Sequence, residues 1–172
     1  MWARPAWEPP LVGLTIIRPV IRPATTADAL AIAAIYNQGI AERQATFETE
    51  PRCPGDLQSD LLLVAERDGR VVGWAAVAAY SDRCVYAGVG EYTIYVDRGA
   101  RGAGLGRELL EALAGAARDA GYYKLVGKLF TTNAASIALA RRCGFREVGV
   151  HERHGRLDGE WRDVLVVERS LS

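Results

Sequence analysis

A glycine-rich stretch near the middle of the chain has residue types and a position that suit the binding of an anion. The residues Arg101-Gly-Ala-Gly-Leu-Gly106 follow a strand-like segment, Gly90–Val96, and precede a segment with leucine or alanine at every fourth position from Leu105 to Ala117. Glycines at the start of a helix leave several backbone N–H groups pointing at one place, and the positive end of the helix dipole adds to their effect. Glycine also lets a ligand approach the backbone without meeting a Cβ atom. The stretch therefore predicts a site for a pyrophosphate-containing ligand.

Three kinds of ligand compete for such a turn. A P-loop requires Gly-Lys-Ser/Thr at its end, whereas Gly106 is followed by Arg107 and Glu108. A dinucleotide fingerprint, GxGxxG, requires a third glycine where Arg107 stands, and an acidic residue on the next strand, where Lys124 and Lys128 stand. These mismatches leave the pyrophosphate of coenzyme A as the predicted ligand.

Glu91 begins the strand that leads into the glycine-rich turn and is a candidate general base. An amine must be neutral to attack a thioester, and at neutral pH an α-amino group is mostly protonated, so a base is useful. A strand glutamate paired with an arginine would give the same sequence pattern, and spacing alone leaves both interpretations open. Backbone N–H groups near Ile94 and Val96 would polarise the carbonyl of a coenzyme A thioester and hold its oxyanion, or would belong to an ordinary sheet interior.

The elements that must position these residues alternate between strand and helix only in the middle of the chain. This order indicates an α/β (α+β) fold with a mixed sheet and helices on both faces. Leu30, Ile32 and Ile35 mark the apolar side of the first helix. The predicted elements are a strand at Val20–Arg22, a helix from Thr25 or Thr26 to Ala41, a short helix around Asp56–Leu61, strands at Leu62–Glu66 and Arg70–Val77 joined by an Asp68-Gly69 turn, a strand at Gly90–Val96, a helix at Leu105–Ala120, a strand at Tyr123–Phe130, a helix at Ala134–Cys143, and strands at Phe145–Val150 and Trp161–Glu168.

Length and composition limit the classes of function. The 172 residues suit one domain, predicted over residues 20–172, and the proline-rich residues 1–19 are predicted to be a loose extension. Basic and acidic residues are equal in number, so the net charge is zero. This balance gives no support to binding of nucleic acid or of a membrane surface. No apolar run approaches the roughly 18 residues of a membrane span.

The cysteines and histidines do not predict a metal site or a disulfide framework. Cys53, Cys84 and Cys143 lie far apart and form no CxxC pair, which fits reduced thiols in the cytoplasm. His151 and His154 flank only two residues, one too few for the HExxH zinc motif. We therefore expect no metal and a cytoplasmic location.

Two motifs resemble those of GNAT acetyltransferases. Arg101-x-x-Gly104-x-Gly106 resembles the family's (Q/R)xxGxG/A motif, and the segment from Asn133 to Phe145 looks like its NxxSxxLxxxxGF segment. The resemblance implies acetyl-CoA as the co-substrate. It also implies a mixed, mostly antiparallel sheet whose two central strands splay apart around the pantetheine. The residues implied to bind the cofactor are Ile94, Val96, Arg101, Gly102, Ala103, Gly104, Leu105, Gly106, Asn133 and Ser136.

Other segments are similar to phosphinothricin acetyltransferases, a group within that family. These segments are residues 21–25, 35–37, 45–48, 91–96 and 159–164, while residues 86–91, 128–131 and 154–159 look most like the arsinothricin N-acetyltransferase branch. The resemblance implies transfer of acetyl to the α-amine of a small glutamate-like toxic amino acid. Phosphinothricin, arsinothricin and methionine sulfone or sulfoximine are acceptors of this type. It also implies a homodimer.

The same resemblance assigns roles on the acceptor side. Glu91 matches the proposed general base of the group, acting directly or through a water. The planar guanidinium of Arg83 would suit a carboxylate or an oxyacid, although a solvated loop charge is also consistent with its position. Phe47 is equally consistent with core packing. The residues implied to bind the acceptor are Asn37, Phe47, Arg83, Tyr86 and Thr93.

Two alternatives stay open at this point. The acceptor could be another amine, such as an ordinary amino acid, a polyamine or a protein N-terminus, and the chain could also be a non-catalytic domain that senses acetyl-CoA. No general acid is assigned. Ala140 stands where many GNAT enzymes have a tyrosine, and Asp158 stands where phosphinothricin acetyltransferases have a histidine. Solvent would then protonate the departing thiolate.

Overall fold

A computed structural model describes residues 18–57, 59 and 61–171 of the chain. Its strands and helices follow one another in the predicted order. In the described residues they are β1 (Val20–Pro23), α1 (Ala29–Glu42), β2 (Leu61–Arg67), β3 (Arg70–Ala79), β4 (Val89–Val96), α2 (Leu105–Asp119), β5 (Lys124–Phe130), α3 (Ala134–Arg142), β6 (Arg146–Leu157) and β7 (Glu160–Ser170).

The strands form a single mixed sheet in the order β1-β2-β3-β4-β5-β7-β6. Every neighbouring pair is antiparallel except β4 and β5, which are parallel. These two central strands pair only where Val89–Glu91 lies beside Lys124–Val126. Beyond Glu91 they no longer pair, so the sheet opens between them. The predicted mostly antiparallel sheet with a splay at its centre is confirmed.

The sheet separates two apolar cores because alternate side chains of a strand point to opposite faces. On one face, α2 and α3 pack on residues such as Ala75 and Leu125, both fully buried. On the other face, α1 packs on a smaller core that contains the fully buried Trp74 and the stacked ring of Tyr95, 5.1 Å away. The predicted helices on both faces are therefore confirmed. The long helix α2 holds the glycine-rich turn against the sheet through its buried leucines.

Buried charge fixes the start of α1. The Asp28 carboxylate accepts hydrogen bonds from the Thr25 amide at 2.8 Å and from the Arg22 guanidinium at 2.8 and 2.9 Å. Arg22 also reaches Glu66 of β2, at 2.9 Å. The hydrogen bond from Arg22 holds the pKa of Asp28 well below its usual range. This network ties β1, β2 and the first turn before α1 together.

Two local predictions were wrong within the described residues. No helix forms around Asp56: the Asp56 carboxylate accepts a hydrogen bond from the Cys53 amide at 2.8 Å, which makes a turn, and Leu61 already belongs to β2. Gln58 and Asp60 lie outside the described residues. Leu30, predicted on the apolar side of α1, is 72% exposed, because α1 turns Ile32 and Ile35 towards the sheet instead.

The last two strands are longer than predicted and form a hairpin. An Asp-Gly pair makes its turn, at Asp158 and Gly159, whose φ angles of 49° and 83° suit a two-residue connection. The polar run around His151 concealed the strand because its residues are exposed. The predicted extension at residues 1–19 lies outside the described residues except for positions 18 and 19. No helix in the described part of the chain is long and apolar enough to cross a membrane.

Candidate active site

The opening between β4 and β5 forms a cleft of about 490 Å³ that reaches both faces of the sheet. From the α1 face, alternate residues of the two strands line it, among them Glu91, Thr93 and Lys128. From the opposite face Ile94 and Leu129 contribute. A ligand lying in the gap can therefore meet a second ligand that approaches from the α1 side. The other lining residues are Tyr36, Ala45, Thr46, Phe47, Glu48, Tyr92, Tyr95, Phe130, Asn133, Ser136, His154, Gly155 and Val164.

The backbone of β4 presents hydrogen-bond donors to this gap. The Asp97 amide donates to the Val72 carbonyl of β3 at 2.9 Å. Because successive residues of a strand direct their N–H groups to opposite sides, the amides of Ile94 and Val96 point away from β3 and towards the splay. β5 does not pair with β4 at these positions. The two amides thus face the open gap, as expected of donors to an acetyl carbonyl bound there.

The glycine-rich turn has the backbone conformation of an anion cradle. Gly102 and Gly104 have φ angles of 84° and 83°, in the left-handed region that favours glycine. The amides of Arg107 and Glu108 bond to the Gly104 carbonyl at 3.0 and 3.2 Å, so the amides before them precede the helical ladder. This arrangement, which also includes Ala103, Leu105 and Gly106, fits a pyrophosphate at the positive end of α2.

Side chains around the turn brace it against α1. Arg101 does not reach into the turn: its guanidinium pairs with Glu42 at 2.9 Å and donates to the Val96 carbonyl at 3.1 Å. Gln38 donates to the Asp97 carboxylate at 2.8 Å, and this hydrogen bond lowers the pKa of Asp97. Burial opposes ionisation of Glu42, but hydrogen bonds from Arg101 and Arg98 leave its pKa lowered. Arg101 therefore orders the turn, whereas its predicted contact with the cofactor stays a prediction.

Glu91 lies at the last position where β4 and β5 still pair. Its Oε2 atom accepts a hydrogen bond from Lys128 Nζ at 2.8 Å. The two side chains are 31% and 43% exposed, so solvent and ligands reach both. The paired-glutamate interpretation is thus correct about a partner, although the cation is a lysine. Glu91 lines the cleft, and its role as general base stays a prediction.

Tyr92 fills the opposite side of the splay. An ideal Cβ on Gly127 would come within 2.4 Å of the Tyr92 ring, so glycine is required beside it. The ring packs on Phe145, with centroids 4.9 Å apart. Burial raises the pKa of Tyr92, which therefore remains a neutral phenol. The Tyr92 ring, on β4, therefore lies directly against Gly127 of β5 on the α2 side of the sheet.

The start of α3 closes one end of the cleft. The side-chain Oδ1 of Asn133 accepts a hydrogen bond from the Ser136 amide at 3.1 Å, an N-cap contact. Its amide nitrogen donates to the carbonyl of Gln44 at 3.0 Å, in the loop that follows α1. Asn133 and Ser136 both line the cleft, and Asn133 holds the two walls together.

Phe47 forms the wall opposite the sheet. Its ring packs edge-on against Phe130, with centroids 4.7 Å apart. An ideal Cβ on Gly155 would come within 2.7 Å of the Phe47 ring, so a larger residue at Gly155 would displace it. Next to Phe47 in the chain, the Thr46 hydroxyl forms a hydrogen bond with the Tyr36 hydroxyl at 3.2 Å. Phe47 combines packing with exposure to the cleft, and its contact with the acceptor stays a prediction.

Three predicted acceptor residues do not line the cleft. Asn37 is occupied by the backbone of Arg52, which it contacts at 2.8 and 3.0 Å through both halves of its amide. Arg83 and Tyr86 are exposed in the connection before β4, with the guanidinium carbon 5.7 Å from the ring centre. Binding of the acceptor by these residues stays a prediction.

Sequence reasoning missed Lys128 and His154 as cleft residues. Lys128 is two positions from Val126, which pairs with Glu91, so it lies on the same face as Glu91, but the sequence does not reveal that pairing. His154 enters the cleft because β6 is irregular between His151 and Gly155, where the Arg153 amide bonds Asp163 at 2.7 Å. No sequence signal marks such an irregularity. Among the described residues, no cluster of three or more His, Cys, Asp and Glu side chains could hold a metal ion.

The sequence is similar to a known protein family and to characterised relatives along most of its length. The model of the Acetyltransferase (GNAT) family matches residues 31–145. The L-methionine sulfoximine/L-methionine sulfone acetyltransferase of Pseudomonas aeruginosa is 33% identical over 165 residues, which cover 88% of this chain and 94% of that protein. A phosphinothricin N-acetyltransferase of Alcaligenes faecalis is 32% identical over 176 residues, covering 95% of this chain and 89% of that protein.

A crystal structure with a bound ligand supports the cofactor assignment. It is that of a GNAT superfamily phosphinothricin acetyltransferase from Sinorhizobium meliloti in complex with AcCoA. It aligns with a TM-score of 0.84 and 28% identity over 91% of this chain and 90% of that chain. The predicted family, fold and co-substrate are thereby confirmed. The chain belongs to the GNAT family and is an acetyl-CoA-dependent N-acetyltransferase.

Proposed function

We propose that the protein acetylates the α-amine of a small, glutamate-like toxic amino acid of the phosphinothricin, arsinothricin or methionine sulfone and sulfoximine type. The observation that carries the proposal is the position of Glu91, which lines the cleft at the point where the sheet opens. The names of the relatives from Pseudomonas aeruginosa and Alcaligenes faecalis support the same class of acceptor. The arsinothricin acceptor rests on sequence resemblance alone.

In the proposed acetyl transfer, each part of the cleft has one role. When bound, acetyl-CoA supplies the acetyl group as a thioester. The amides of residues 102–106 hold its pyrophosphate, and those of Ile94 and Val96 face the acetyl carbonyl. Glu91 takes a proton from the acceptor ammonium, directly or through a water. The amine nitrogen then forms the C–N bond as the C–S bond breaks. Of the two protons lost by the ammonium, one protonates the thiolate by way of solvent and one remains in solution.

The acceptor side continues beyond the cleft along a row of aromatic and cationic side chains. Lys128 Nζ lies 6.0 Å from the Tyr80 ring centre, Tyr80 lies 6.0 Å from Tyr86, and Arg83 follows at 5.7 Å. This row supports a role for Arg83 in attracting the distal acidic group of the acceptor. Phe47 and Thr93 shape the acceptor pocket. The Asn37 side chain, through its hydrogen bonds with the backbone of Arg52, holds the loop after α1 that carries Phe47.

We also propose that the enzyme is a cytoplasmic homodimer. Val148, Val150 and Trp161 are 49%, 50% and 50% exposed on the β6–β7 hairpin, which leaves apolar side chains for a second copy to cover. The exposed thiols of Cys53 and Cys84 are free, as suits a reducing compartment. Sedimentation of the purified protein would give the mass of a monomer if the dimer proposal is wrong.

A steady-state assay of thiol release tests the proposed function. The acceptors are L-phosphinothricin, arsinothricin, L-methionine sulfone, an ordinary amino acid, a polyamine and a peptide with a free N-terminus. We expect the highest kcat/KM with the glutamate-like compounds. Faster turnover of the polyamine or the peptide would reassign the acceptor. Tight binding of acetyl-CoA with no turnover of any amine would favour the sensor alternative.

A further inference from the structure

We propose that Lys128 binds the α-carboxylate of the acceptor, so that the Glu91–Lys128 pair recognises the amine and the carboxylate of one α-carbon together. The inference rests on the proposed function and makes it more specific. It assigns to Lys128 the group next to the reacting amine and leaves the distal acidic group of the acceptor to other residues. An α-amino acid then differs from a simple amine at the point of chemistry itself.

The geometry of the pair matches a zwitterion. Glu91 Oε2 and Lys128 Nζ are 2.8 Å apart on the α1 face of the cleft. An α-amino acid carries an ammonium and a carboxylate on a single carbon, with the opposite charges. When it lies along the pair, its ammonium faces Glu91 and its carboxylate faces Lys128. One ion pair in the free enzyme is replaced by two between enzyme and acceptor.

Lys128 has hydrogen-bond donors available for the carboxylate of an acceptor. The Lys128 ammonium has three N–H donors. Within the described part of the chain, one of them donates to Glu91. Lys128 Nζ also lies 6.0 Å from the centre of the Tyr80 ring, and the Lys128 side chain is 43% exposed. A carboxylate can approach without first displacing a second protein ligand.

The remaining charges around the cleft do not offer the same contact. Glu48 is already paired with Arg52 at 2.7 Å, and Arg52 does not line the cleft. His154 lines it from β6, where its ring centre lies 4.7 Å from that of His151. Among the described lining residues, Lys128 is the one that combines a permanent positive charge with direct contact to Glu91.

The test compares two acceptors that differ only in the α-carboxylate. L-phosphinothricin has it, and its decarboxylated analogue, 3-aminopropyl(methyl)phosphinic acid, keeps the amine and the phosphinate without it. With Lys128→Gln, we expect kcat/KM for L-phosphinothricin to fall about tenfold to a hundredfold, mainly through KM, since one charge-assisted contact is lost. The analogue should lose far less. Where its turnover is too slow to follow, its inhibition constant against L-phosphinothricin replaces kcat/KM.

Two further variants keep the test decisive. Lys128→Arg retains the cation and should retain the preference for the α-carboxylate. Lys124→Gln removes the neighbouring lysine of β5, which pairs with Glu168 at 3.2 Å outside the cleft, and should leave both acceptors unaffected. If Lys128→Gln is too unstable to assay, the acceptor preference of Lys128→Arg decides: loss of that preference in a folded Lys128→Arg would overturn the inference.

The outcomes separate the inference from the proposed function. Equal losses for L-phosphinothricin and its analogue would overturn the inference, because Lys128 would then act only by positioning Glu91 or by holding the phosphinate. The proposed function would survive, since the wild-type enzyme still turns over L-phosphinothricin. A wild-type enzyme that turns over polyamines but no α-amino acid would overturn both.

Discussion

Replacing Glu91 with glutamine should nearly abolish acetyl transfer while leaving the fold almost unchanged. Glu91 and Lys128 are 31% and 43% exposed, and ion pairs at such exposure contribute about 0.2–1 kcal/mol. Glutamine keeps the length of the side chain and can still accept a hydrogen bond from Lys128 through its carbonyl oxygen. We therefore expect the melting temperature to fall by no more than about 4 °C, because 1 kcal/mol corresponds to about 2–4 °C in a domain of this size.

The effect on the rate should be much larger because an amide cannot take a proton from the acceptor. Loss of a general base typically lowers the rate by about 10²–10⁴, which corresponds to roughly 3–5 kcal/mol of activation free energy. This value exceeds the expected loss of stability several-fold, so chemistry and folding can be told apart. The deficit should shrink as the pH rises, because a growing fraction of the amine is then already neutral.

Thiol release measured across a range of pH checks this prediction. The matched control is Glu168→Gln, which removes the glutamate of another Lys–Glu pair on the same sheet, with Lys124 at 3.2 Å and outside the cleft. Glu168→Gln should keep its turnover. Wild-type turnover by Glu91→Gln at neutral pH, or equal losses in Glu91→Gln and Glu168→Gln, would refute the role of Glu91 as base.

The remaining predictions concern the cofactor, the acceptor and stability. Gly104→Asp should abolish acetyl-CoA binding measured by calorimetry. Gly121→Asp, with a similar φ of 94° at the other end of α2, should not, and equal affinities would exclude the turn as the site. Arg83→Ala should raise the acceptor KM by about tenfold to a hundredfold and spare acetyl-CoA binding; equal losses for acceptors with and without a distal acid would make Arg83 structural. Asp28→Asn should destabilise the fold by about 1.5–3 kcal/mol at neutral pH. Because Arg22 lowers the pKa of Asp28 in the folded state, this contribution is present above about pH 4 and declines as the pH falls towards the folded pKa, so denaturation curves of the two proteins should converge in acid.

Periodicity predicted the order of the elements because most of them bury one face. The four-residue repeat in α2 reflects contact with the apolar core. Where burial is weak, the same signal failed. β6 is exposed from Arg146 to His154, so nothing in its sequence revealed a strand of this length. The splay between β4 and β5 was predicted from the resemblance to the family, because a missing strand pairing leaves no periodic pattern in the sequence.

The candidate site was predicted best where backbone conformation decides it. Gly102 and Gly104 have the positive φ angles that a glycine-rich anion turn requires. The long-range partners were not predictable from spacing: Glu91 and Lys128 are 37 positions apart and meet only because β4 and β5 are neighbours. The same is true of Arg101, which is held by Glu42 from α1.

In the proposed mechanism, the pairing of Glu91 would let a glutamate serve as base for an acceptor that is itself acidic. Two like charges about 4 Å apart near a protein surface repel by about 4 kcal/mol, which would weaken binding of an α-carboxylate by nearly a thousandfold. Lys128, at 2.8 Å, offsets the charge of Glu91, and Arg52 offsets that of Glu48 in the same cleft. A polyamine would instead bring its second cation towards Lys128. Discrimination between these acceptors therefore depends on the local placement of ion pairs, and the zero net charge of the chain carries no information about it.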